Sequence, residues 1–402
     1  MKHTTHTQNK APAKNVLRKK ITRRSLFFIG FLAIAVSGAW SVYHDKTTPP
    51  RFSAEQFEGN GLQYAVEAIA AATVEGGAPG AVILIRKNGE DFIAASGLAN
   101  KQTQQAMPTD EPLRIGSVSK VYTATVILAL ANQGLLKLDD RISDYLPRDV
   151  TDDLHNADAA TIRQLLNHTG GIPDYYDIRS YLTQDWTQPI TLERTLPVAK
   201  RRESSHAAGE KFEYSNMGYI LLGEIAERVT GQNLGELITQ QISSPLSLSN
   251  TYYNVKHADK SIIHGYGTLL RPWADTYDLW EHSGPDAGML ATASEAARFL
   301  EALTFDNGKL KSIGRQMLQT MVEGDGSHEK QGVGLTTITS KDGNTLIGHT
   351  GDVFGYQTVA FAWPEADAVF VAQVNCDCST LTSSILRNAY QAIKANLVPA
   401  SH

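Results

Sequence analysis

Two stretches of β-type pattern, one near each end of the chain, enclose a long helical middle. Near the start, apolar residues at helical spacing predict a helix over Leu62–Thr73, and an apolar run predicts a strand over Ala81–Arg86. Asn88-Gly89 is a turn signal, and Asp91–Ser96 predicts a second strand that returns beside the first. The body is therefore expected to open with a helix and a β-hairpin.

The C-terminal part of the chain also combines strand patterns with a helix. Strands are predicted over Thr345–His349, Gln357–Trp363 and Ala368–Asn375, followed by an amphipathic helix over Leu381–Leu397. The stretch between about Pro112 and Leu318 is mostly helical in pattern. We therefore predict an α+β fold, in which both ends of the chain build one antiparallel sheet of five or more strands. The N- and C-terminal helices would flank this sheet, and a mostly helical lobe would be inserted, with a functional cleft between the two parts.

Composition narrows the class of protein. The chain has 402 residues, 42% hydrophobic and 20% charged, which is typical of a globular protein with one large or two closely joined domains. Its 37 basic and 42 acidic residues give a formal net charge of −5. Eight of the basic residues and none of the acidic ones lie in residues 1–39, so residues 40–402 carry −13. Because so acidic a body repels phosphate backbones, nucleic acid is excluded as a partner.

The basic start of the chain precedes one strongly apolar run, Leu26–Tyr43. Basic, then apolar, then small residues (Ser37-Gly38-Ala39) is the layout of an export signal, with a cleavage point after Ala39. At about 18 residues, the run is also long enough to remain as a single membrane anchor. Thr22-Arg23-Arg24-Ser25-Leu26 loosely resembles a twin-arginine signal.

These features predict an exported protein whose body lies in the periplasm or another extracytoplasmic compartment. Residues 1–45 would be a cleaved signal or an anchor in the inner membrane, and residues 46–60 a linker that contains Pro49-Pro50. Contact with a membrane is expected only through the N-terminal segment. The pattern leaves cleavage, anchoring and the oligomeric state open.

The first candidate for chemistry is the segment RIGSVSK, Arg114–Lys120, which precedes an apolar helix that ends near Gly134. A spacing of three residues on a helix places Ser117 and Lys120 on one face, one turn apart. A serine hydroxyl is a weak nucleophile until a base takes its proton, and a lysine in a partly desolvated cleft can do so. The pattern alone is weak, because Ser117 would also suit a helix cap.

A second candidate is Tyr214-Ser215-Asn216, which precedes the apolar helix MGYILLGEIAERV. A lysine ammonium stabilises a phenolate, so Tyr214 beside Lys120 would be easier to ionise. The amide of Asn216 could hold both the lysine and a substrate carbonyl. The alternative is an interior tyrosine followed by a capping asparagine.

The third candidate is Gly348-His349-Thr350-Gly351, at the end of a predicted strand. Thr350 can hydrogen-bond a substrate carboxylate or ester. Gly351 lets a substrate backbone lie alongside the strand, so that the N–H of Asp352 points towards the cleft. His349 can donate to the tyrosine oxygen or simply fill space.

Weaker copies of these patterns are interpreted as structural. Ser327-His328-Glu329-Lys330 lies in a polar glycine-rich loop, Tyr252-Tyr253-Asn254 lacks a following apolar helix, and His168-Thr169-Gly170 is typical of a glycine helix cap. Cys376 and Cys378 are too close for an easy disulfide and are expected to be partly buried thiols. No metal or cofactor site is predicted, because two cysteines cannot complete a zinc site and the histidines lack a metal-binding helix pair.

In this order, the three candidates resemble the loops that line the active site of the serine β-lactamase-like superfamily. The branch of class C β-lactamases, D-alanyl-D-alanine carboxypeptidases and related esterases fits best, because the second motif is Tyr-Ser-Asn (YSN, Tyr214-Ser215-Asn216) and not Ser-Asp-Asn (SDN). The resemblance extends from about Leu62 to Leu397, through RIGSVSK, LANQGLLKLDDRISDYLP, LLNHTGGIPDYY, YSNMGY, GPDAGMLATASEAARFL and GHTGDVFGY. It implies a β-lactamase/transpeptidase-like fold and a serine hydrolase domain over residues 61–400.

The resemblance also implies a role for each matching residue. Ser117 would be the acylated nucleophile, and Lys120 and Tyr214 would share the role of general base, with the choice between them open. Asn216 would orient the lysine and the substrate. The main-chain N–H groups of Ser117 and Asp352 would form the oxyanion hole.

One position departs from the family pattern, because His349 stands where class C β-lactamases typically carry lysine. A mostly neutral histidine offers less positive charge to a β-lactam carboxylate and is expected to titrate at about pH 6–7. The sequence therefore favours an exported, penicillin-recognising hydrolase of the D-alanyl-D-alanine carboxypeptidase type, acting on a small molecule or a peptidoglycan peptide. The alternatives are an esterase, a β-lactamase, a D-amino-acid amidase and, from another class, a non-catalytic peptide-binding module.

Overall fold

The computed structural model describes residues 50–176, 180, 183–255, 262–267, 274–279, 284–324, 326, 328–378 and 381–397. The chain divides into two compact units, 1–46 and 47–402, and the described residues all belong to the second. The predicted signal or anchor in residues 1–45 and the start of the linker therefore lie outside the described part. Within that part, no helix is long and apolar enough to cross a membrane.

The strands of the described residues form one large sheet and two small ones. In chain order they are β1 (Gly80–Lys87), β2 (Glu90–Asn100), β3 (Gln105–Ala106), β4 (Leu113–Arg114), β5 (Tyr252–Tyr253), β6 (Tyr266–Gly267), β7 (Ala274–Asp275), β8 (Met289–Ala291), β9 (Val322–Glu323), β10 (Glu329–Gln331), β11 (Thr336–Thr339), β12 (Thr345–Val353), β13 (Tyr356–Trp363) and β14 (Ala368–Val374). The large sheet has the order β3-β2-β1-β14-β13-β12-β11-β10-β9, and the small ones are β4-β8-β5 and β6-β7.

Both ends of the chain build the large sheet, as predicted. Strand β1 pairs antiparallel with β14, with Ala81 opposite Val374, so the first and last long strands are neighbours. All the neighbouring strands of this sheet pair antiparallel. The four strands that the sequence did not predict, β3 and β9–β11, are short and lie at the two edges.

The helices lie on both faces of the sheet and in the middle of the chain. They are α1 (Gly61–Glu75), α2 (Ser119–Asn132), α3 (Arg148–Thr151), α4 (Ile162–Leu166), α5 (Leu192–Ala199), α6 (Asn216–Thr230), α7 (Leu234–Ile238), α8 (Ser244–Leu246), α9 (Ala293–Thr304), α10 (Lys311–Met317) and α11 (Leu381–Ala395). Helices α1 and α11 pack against each other, and α9 packs against β14. Among the described residues between Pro112 and Leu318, the regular elements are helices α2–α10 and the five short strands β4–β8, so the predicted helical lobe is confirmed.

Alternation along the strands explains why β1 is apolar from Ala81 to Ile85. Ile83 and Ile85 belong to the core shared with α1 and α11, whereas Val82 and Leu84 belong to the core shared with the helical lobe. Successive side chains of a strand point to opposite faces, so a strand covered on both faces needs an unbroken apolar run. Helix α2 is also apolar on all sides, because it is buried along almost its whole length.

Candidate active site

Ser117 lies in a short 3-10 turn, Gly116–Val118, directly before α2. Gly116 has a φ of +53°, and a Cβ there would lie 2.7 Å from the main-chain nitrogen of Asp352, so the turn fits tightly against β12. The side chain of Ser117 is partly exposed. The cap position of α2 is Val118, without a side-chain cap hydrogen bond, so the alternative of Ser117 as a helix cap is wrong.

Lys120 is fully buried one turn after Ser117. Its Nζ lies 3.1 Å from Ser117 Oγ, 2.8 Å from Asn216 Oδ1 and 2.9 Å from the main-chain oxygen of Asp286. As an ammonium, Lys120 donates to all three oxygens. The amide and carbonyl oxygens can only accept, so a neutral amine that keeps both of these bonds directs its lone pair at Ser117 Oγ. The geometry suits removal of the serine proton by Lys120.

Tyr214 lines the same cleft as Ser117 and is partly buried. Lys120 Nζ lies 5.0 Å from the centroid of the Tyr214 ring. The cap of α6 is Ser215, whose Oγ accepts from the N–H of Gly218 at 3.3 Å. The alternative of an interior tyrosine followed by a capping asparagine is therefore wrong at both positions.

His168, which the sequence pattern assigned to a helix end alone, lies beside Tyr214. The two rings stack with their centroids 4.2 Å apart, and the N–H of Ser215 donates to His168 Nδ1 at 3.2 Å. His168 itself takes the left-handed conformation after α4, with a φ of +59°, so the glycine cap predicted at Gly170 is wrong. Burial keeps the pKa of His168 well below its usual value, and the positive charge of Lys120 lowers it further. A neutral ring therefore supports the tyrosine.

Asn216, the first residue of α6, connects Lys120 to an aspartate that the sequence analysis missed. Asn216 Nδ2 donates to Asp174 Oδ2 at 2.9 Å, while its Oδ1 faces Lys120. Asp174 Oδ1 accepts from the main-chain N–H groups of Asn216 and Met217, at 3.1 and 3.2 Å. Asp174 and Asn216 are 42 residues apart, and no local spacing rule relates them.

Asp286 is a second acidic residue that the sequence analysis missed. Besides its main-chain contact with Lys120, its carboxylate accepts from the hydroxyl of Tyr175 at 2.8 Å, and only 2% of the residue is exposed. Desolvation raises the pKa of Asp174 to about 6, and the negative charge of Asp286 adds to this rise. Hydrogen bonds from Asn216 and Met217 act in the opposite direction. The buried lysine thus has two acidic neighbours.

His349 lies on β12 and is buried. Its Nδ1 is 2.5 Å from the main-chain oxygen of Thr350, which can only accept, so Nδ1 carries the proton. Burial lowers the pKa of His349 to about 4. The expected titration at pH 6–7 is therefore wrong. The neutral ring, with its centroid 6.5 Å from that of Tyr214, has an Nε2 that accepts hydrogen bonds and cannot donate them, contrary to the expected donation to the tyrosine.

The segment after His349 forms one wall beside Ser117. Gly351 is so close to the turn before α2 that a Cβ would overlap the main-chain oxygen of Ile115 and lie 3.0 Å from Ser117 N. Thr350 and Asp352 are exposed on the same strand. Strand β11 pairs with β12 only over Thr345–Gly348, which leaves the strand after Gly348 accessible along this edge for an extended substrate, within the described residues.

A cleft of about 270 Å³ opens at Ser117. Its described lining consists of Ser117, Phe212, Tyr214, Glu329, Gln331, Thr336, Ile338, His349, Thr350, Asp352 and Phe361. The structure thus brings five of the predicted site residues to one cleft, with Lys120 and Asn216 in contact with Ser117 or with each other beneath it. Two of the described lining residues are acidic, and none is lysine or arginine.

Cys376 and Cys378 are joined by a disulfide, so the prediction of free thiols is wrong. Their Cα atoms are 5.2 Å apart, within the normal range for a disulfide, because the chain bends as it leaves β14. Of the weaker motif copies, Tyr253 pairs with Met289 in a small sheet, and Ser327 lies outside the described residues. Among the described residues, no group of three or more His, Cys, Asp or Glu side chains could hold a metal ion.

The chain is similar to known proteins over most of its length. The Beta-lactamase family model matches residues 65–384. Penicillin-binding protein 4 of Amycolatopsis lactamdurans is 31% identical over 227 residues, which are 55% of this chain and 58% of that protein. The chain spans about 60% of the length of the curated relatives that it matches.

Solved structures match more completely. The D-stereospecific amidohydrolase from Streptomyces sp. has a TM-score of 0.71 and 26% identity, and the match covers 81% of this chain and 96% of that one. The D-amino acid amidase from Ochrobactrum anthropi SV3, complexed with L-phenylalanine amide, has a TM-score of 0.72 and 23% identity, over 83% of this chain and 98% of that one. The second match concerns the fold alone.

Proposed function

Because the chain belongs to the Beta-lactamase family, we propose that it is a serine hydrolase that forms an acyl-enzyme on Ser117. The observation that carries this proposal is the 3.1 Å contact of Lys120 Nζ with Ser117 Oγ. The other two partners of Nζ are acceptors, so a buried amine is directed at the Ser117 hydroxyl, which lines the cleft. A non-catalytic peptide-binding module would not need this arrangement.

In the proposed reaction, Ser117 Oγ attacks the substrate carbonyl while Lys120 and Tyr214 share the removal and delivery of the proton. The main-chain N–H groups of Ser117 and Asp352 stabilise the negative charge that develops on the carbonyl oxygen. The proton then reaches the leaving group, which departs as an amine or an alcohol. Water attacks the resulting ester of Ser117 and regenerates the enzyme. Asn216 keeps Lys120 aligned during both steps.

The charges of the cleft favour a substrate with a free amino group and no terminal carboxylate. Glu329 and Asp352 are acidic, and His349, with its pKa at about 4, is neutral at pH 7. Such a cleft repels a carboxylate and attracts an ammonium group. Together with the likeness to a D-stereospecific amidohydrolase, this supports amides or esters of D-amino acids and D-peptides as the substrate class.

A penicillin-recognising D-alanyl-D-alanine carboxypeptidase is the second candidate. The similarity to Penicillin-binding protein 4 favours it, and exposed Thr350 on β12 would be the donor to the substrate carboxylate. The two candidates differ in the charge that they require beside Thr350. A carboxypeptidase needs to hold a carboxylate there, whereas an amidase needs to hold an amine elsewhere in the cleft.

Hydrolysis of D- and L-phenylalanine amide and of a diacylated D-alanyl-D-alanine tripeptide, followed by chromatography, separates the candidates. We expect the D-amide to be cleaved faster than both the L-amide and the tripeptide, and Ser117→Ala to cleave none of them. Cleavage of the tripeptide alone would establish the carboxypeptidase. Cleavage by the Ser117→Ala variant at the wild-type rate would contradict the acyl-enzyme.

We also propose that the body of the protein is exported, with residues 1–45 as signal or anchor, 46–60 as linker and 61–400 as hydrolase domain. The basic and then apolar start of the chain supports this proposal. The disulfide between Cys376 and Cys378 supports it independently, because disulfides persist mainly in oxidising compartments. Fractionation of expressing cells is expected to place the protein in the periplasmic or membrane fraction, and recovery in the cytosol would contradict export.

A further inference from the structure

Asp174 lies behind the catalytic groups and contacts Asn216 with both carboxylate oxygens. Oδ2 accepts from the side-chain amide at 2.9 Å, and Oδ1 accepts from the main-chain N–H of Asn216 at 3.1 Å. The residue is partly buried and is not among the described residues that line the cleft at Ser117. Its carboxylate contacts are with Asn216 and Met217, which places its action on Asn216.

The contact determines which way the Asn216 amide points. An amide has a donor end and an acceptor end of nearly equal size, so only its hydrogen-bond partners distinguish the two orientations. The carboxylate of Asp174 accepts only and takes the donor end, which leaves Oδ1 for Lys120 Nζ at 2.8 Å. In the reversed orientation, Nδ2 would face the ammonium of Lys120 and Oδ1 would face the carboxylate, and both contacts would be repulsive.

We propose that Asp174 is a positioning residue of the Ser117 site, which fixes the Asn216 amide so that Lys120 stays aligned with Ser117 Oγ. The inference rests on the proposed function. If it holds, the site includes an acidic residue behind Lys120 as well as the residues that face the cleft. A role limited to holding the N-terminus of α6 would leave the rate of acylation unchanged.

Three charged groups of the described residues face Asp174. Lys120 from α2 and Asp286 from the segment before β8 act on its charge, and Arg202 Nη1 donates to its main-chain oxygen at 2.8 Å. Desolvation, with a contribution from Asp286, raises the pKa of Asp174 to about 6. Below that pH, one oxygen gains a proton and becomes a donor, so the orientation of Asn216 is no longer fixed. Acylation should then decline.

The test uses the full-length protein and the rate of covalent labelling by a fluorophosphonate probe. Asp174→Asn keeps the shape of the side chain but replaces one acceptor oxygen by an NH₂ group. That group must face another donor, either the Asn216 amide or the main-chain N–H groups of Asn216 and Met217. We expect its limiting labelling rate at pH 7.5 to fall about 100-fold, with the half-saturating probe concentration unchanged. The ratio of wild-type to variant rate should shrink as the pH falls from 7.5 to 5, because only the wild type has a carboxylate at position 174 that gains a proton over this range.

Ser215→Ala is the matched control. It removes the other side-chain cap of α6, the contact of Ser215 Oγ with the N–H of Gly218, without touching the Asn216 amide. We expect it to lower the melting temperature and to label at the wild-type rate. A rate for Asp174→Asn equal to that of the wild type would overturn the inference, as would a ratio that is independent of pH.

The reciprocal exchange Asp174→Asn with Asn216→Asp keeps the proposal testable if the single variant does not fold. The new amide at 174 donates to the new carboxylate at 216, whose other oxygen accepts from Lys120, so every hydrogen bond of the cluster has a counterpart. Labelling should be at least about 10-fold faster than in Asn216→Asp alone, where two carboxylates meet. No gain would overturn the inference. An unlabelled wild type would instead refute the proposed function and the inference together, and Ser117→Ala identifies labelling at other sites.

Discussion

The neutral, buried His349 makes a quantitative prediction about how stability depends on pH. Only 5% of the residue is exposed, and burial lowers its pKa from the ordinary 6.5 to about 4. Between these two values the unfolded chain binds a proton at this position and the folded protein does not. The free energy of unfolding therefore has its full value above pH 6.5 and falls as the pH falls to about 4.

The size of the effect follows from the difference in pKa. One pKa unit corresponds to about 1.4 kcal/mol, so a change from 6.5 to about 4 amounts to about 3.5 kcal/mol in full, of which about 3 kcal/mol is reached at pH 4. His349→Gln removes the titrating ring. We compare the free energy of unfolding of the variant with that of the wild type at each pH. This difference should change by about 3 kcal/mol in favour of the variant between pH 7 and pH 4. Asp174 titrates in both proteins, so its contribution cancels in this difference.

Urea unfolding of both proteins between pH 7.5 and pH 4 measures this difference directly. His155→Gln, a substitution at an exposed histidine, controls for the removal of a histidine in general. A difference between wild type and His349→Gln that is the same at every pH would refute the reasoning. It would mean that His349 titrates alike in the folded and unfolded chains, and that the ring is not held neutral.

The remaining predictions concern the cleft. Tyr214→Phe keeps the ring that stacks on His168 but removes the hydroxyl, so we expect acylation to slow by about 10²- to 10⁴-fold with an unchanged melting temperature. Acylation at the wild-type rate in stopped-flow labelling would exclude Tyr214 from the proton transfer. His349→Lys adds positive charge beside Thr350, and we expect tighter competitive inhibition by benzylpenicillin, whose carboxylate it would attract. Unchanged or weaker inhibition would contradict the assignment of this position to substrate recognition.

The long elements of the fold could be predicted because each has a pattern of its own. Strands such as β1 and β14 are mostly apolar, since both faces of the sheet are covered, and α1 and α11 have helical periodicity. The edge strands β3 and β9–β11 have two to four residues each and no apolar alternation. Their pairing depends on the neighbouring strand, so the sequence gives no local signal for them.

In the candidate site, too, some residues could be predicted from the sequence and others could not. Ser117 and Lys120 are one helical turn apart, and Asn216 follows Tyr214 at a helix start, so these residues could be predicted from spacing. His168, Asp174 and Asp286 reach the site through tertiary packing, and only coordinates relate them to it.

Two of the failed predictions depended on local geometry and burial. Cys376 and Cys378 form a disulfide because a bend brings their Cα atoms to 5.2 Å, which a separation of two residues does not exclude. His349 does not titrate near neutral pH because the folded chain buries it. Neither the bend nor the burial can be inferred from residue types alone.

The central claim, an acyl-enzyme on Ser117, is tested most directly by mass spectrometry. The full-length protein and its Ser117→Ala variant are mixed with a fluorophosphonate for minutes, their intact masses are measured, and the labelled protein is then digested to map the adduct. The account predicts one adduct, on the peptide that contains Ser117, in the wild type and none in the variant. An adduct of equal yield in the variant, or an unmodified wild type, would contradict it.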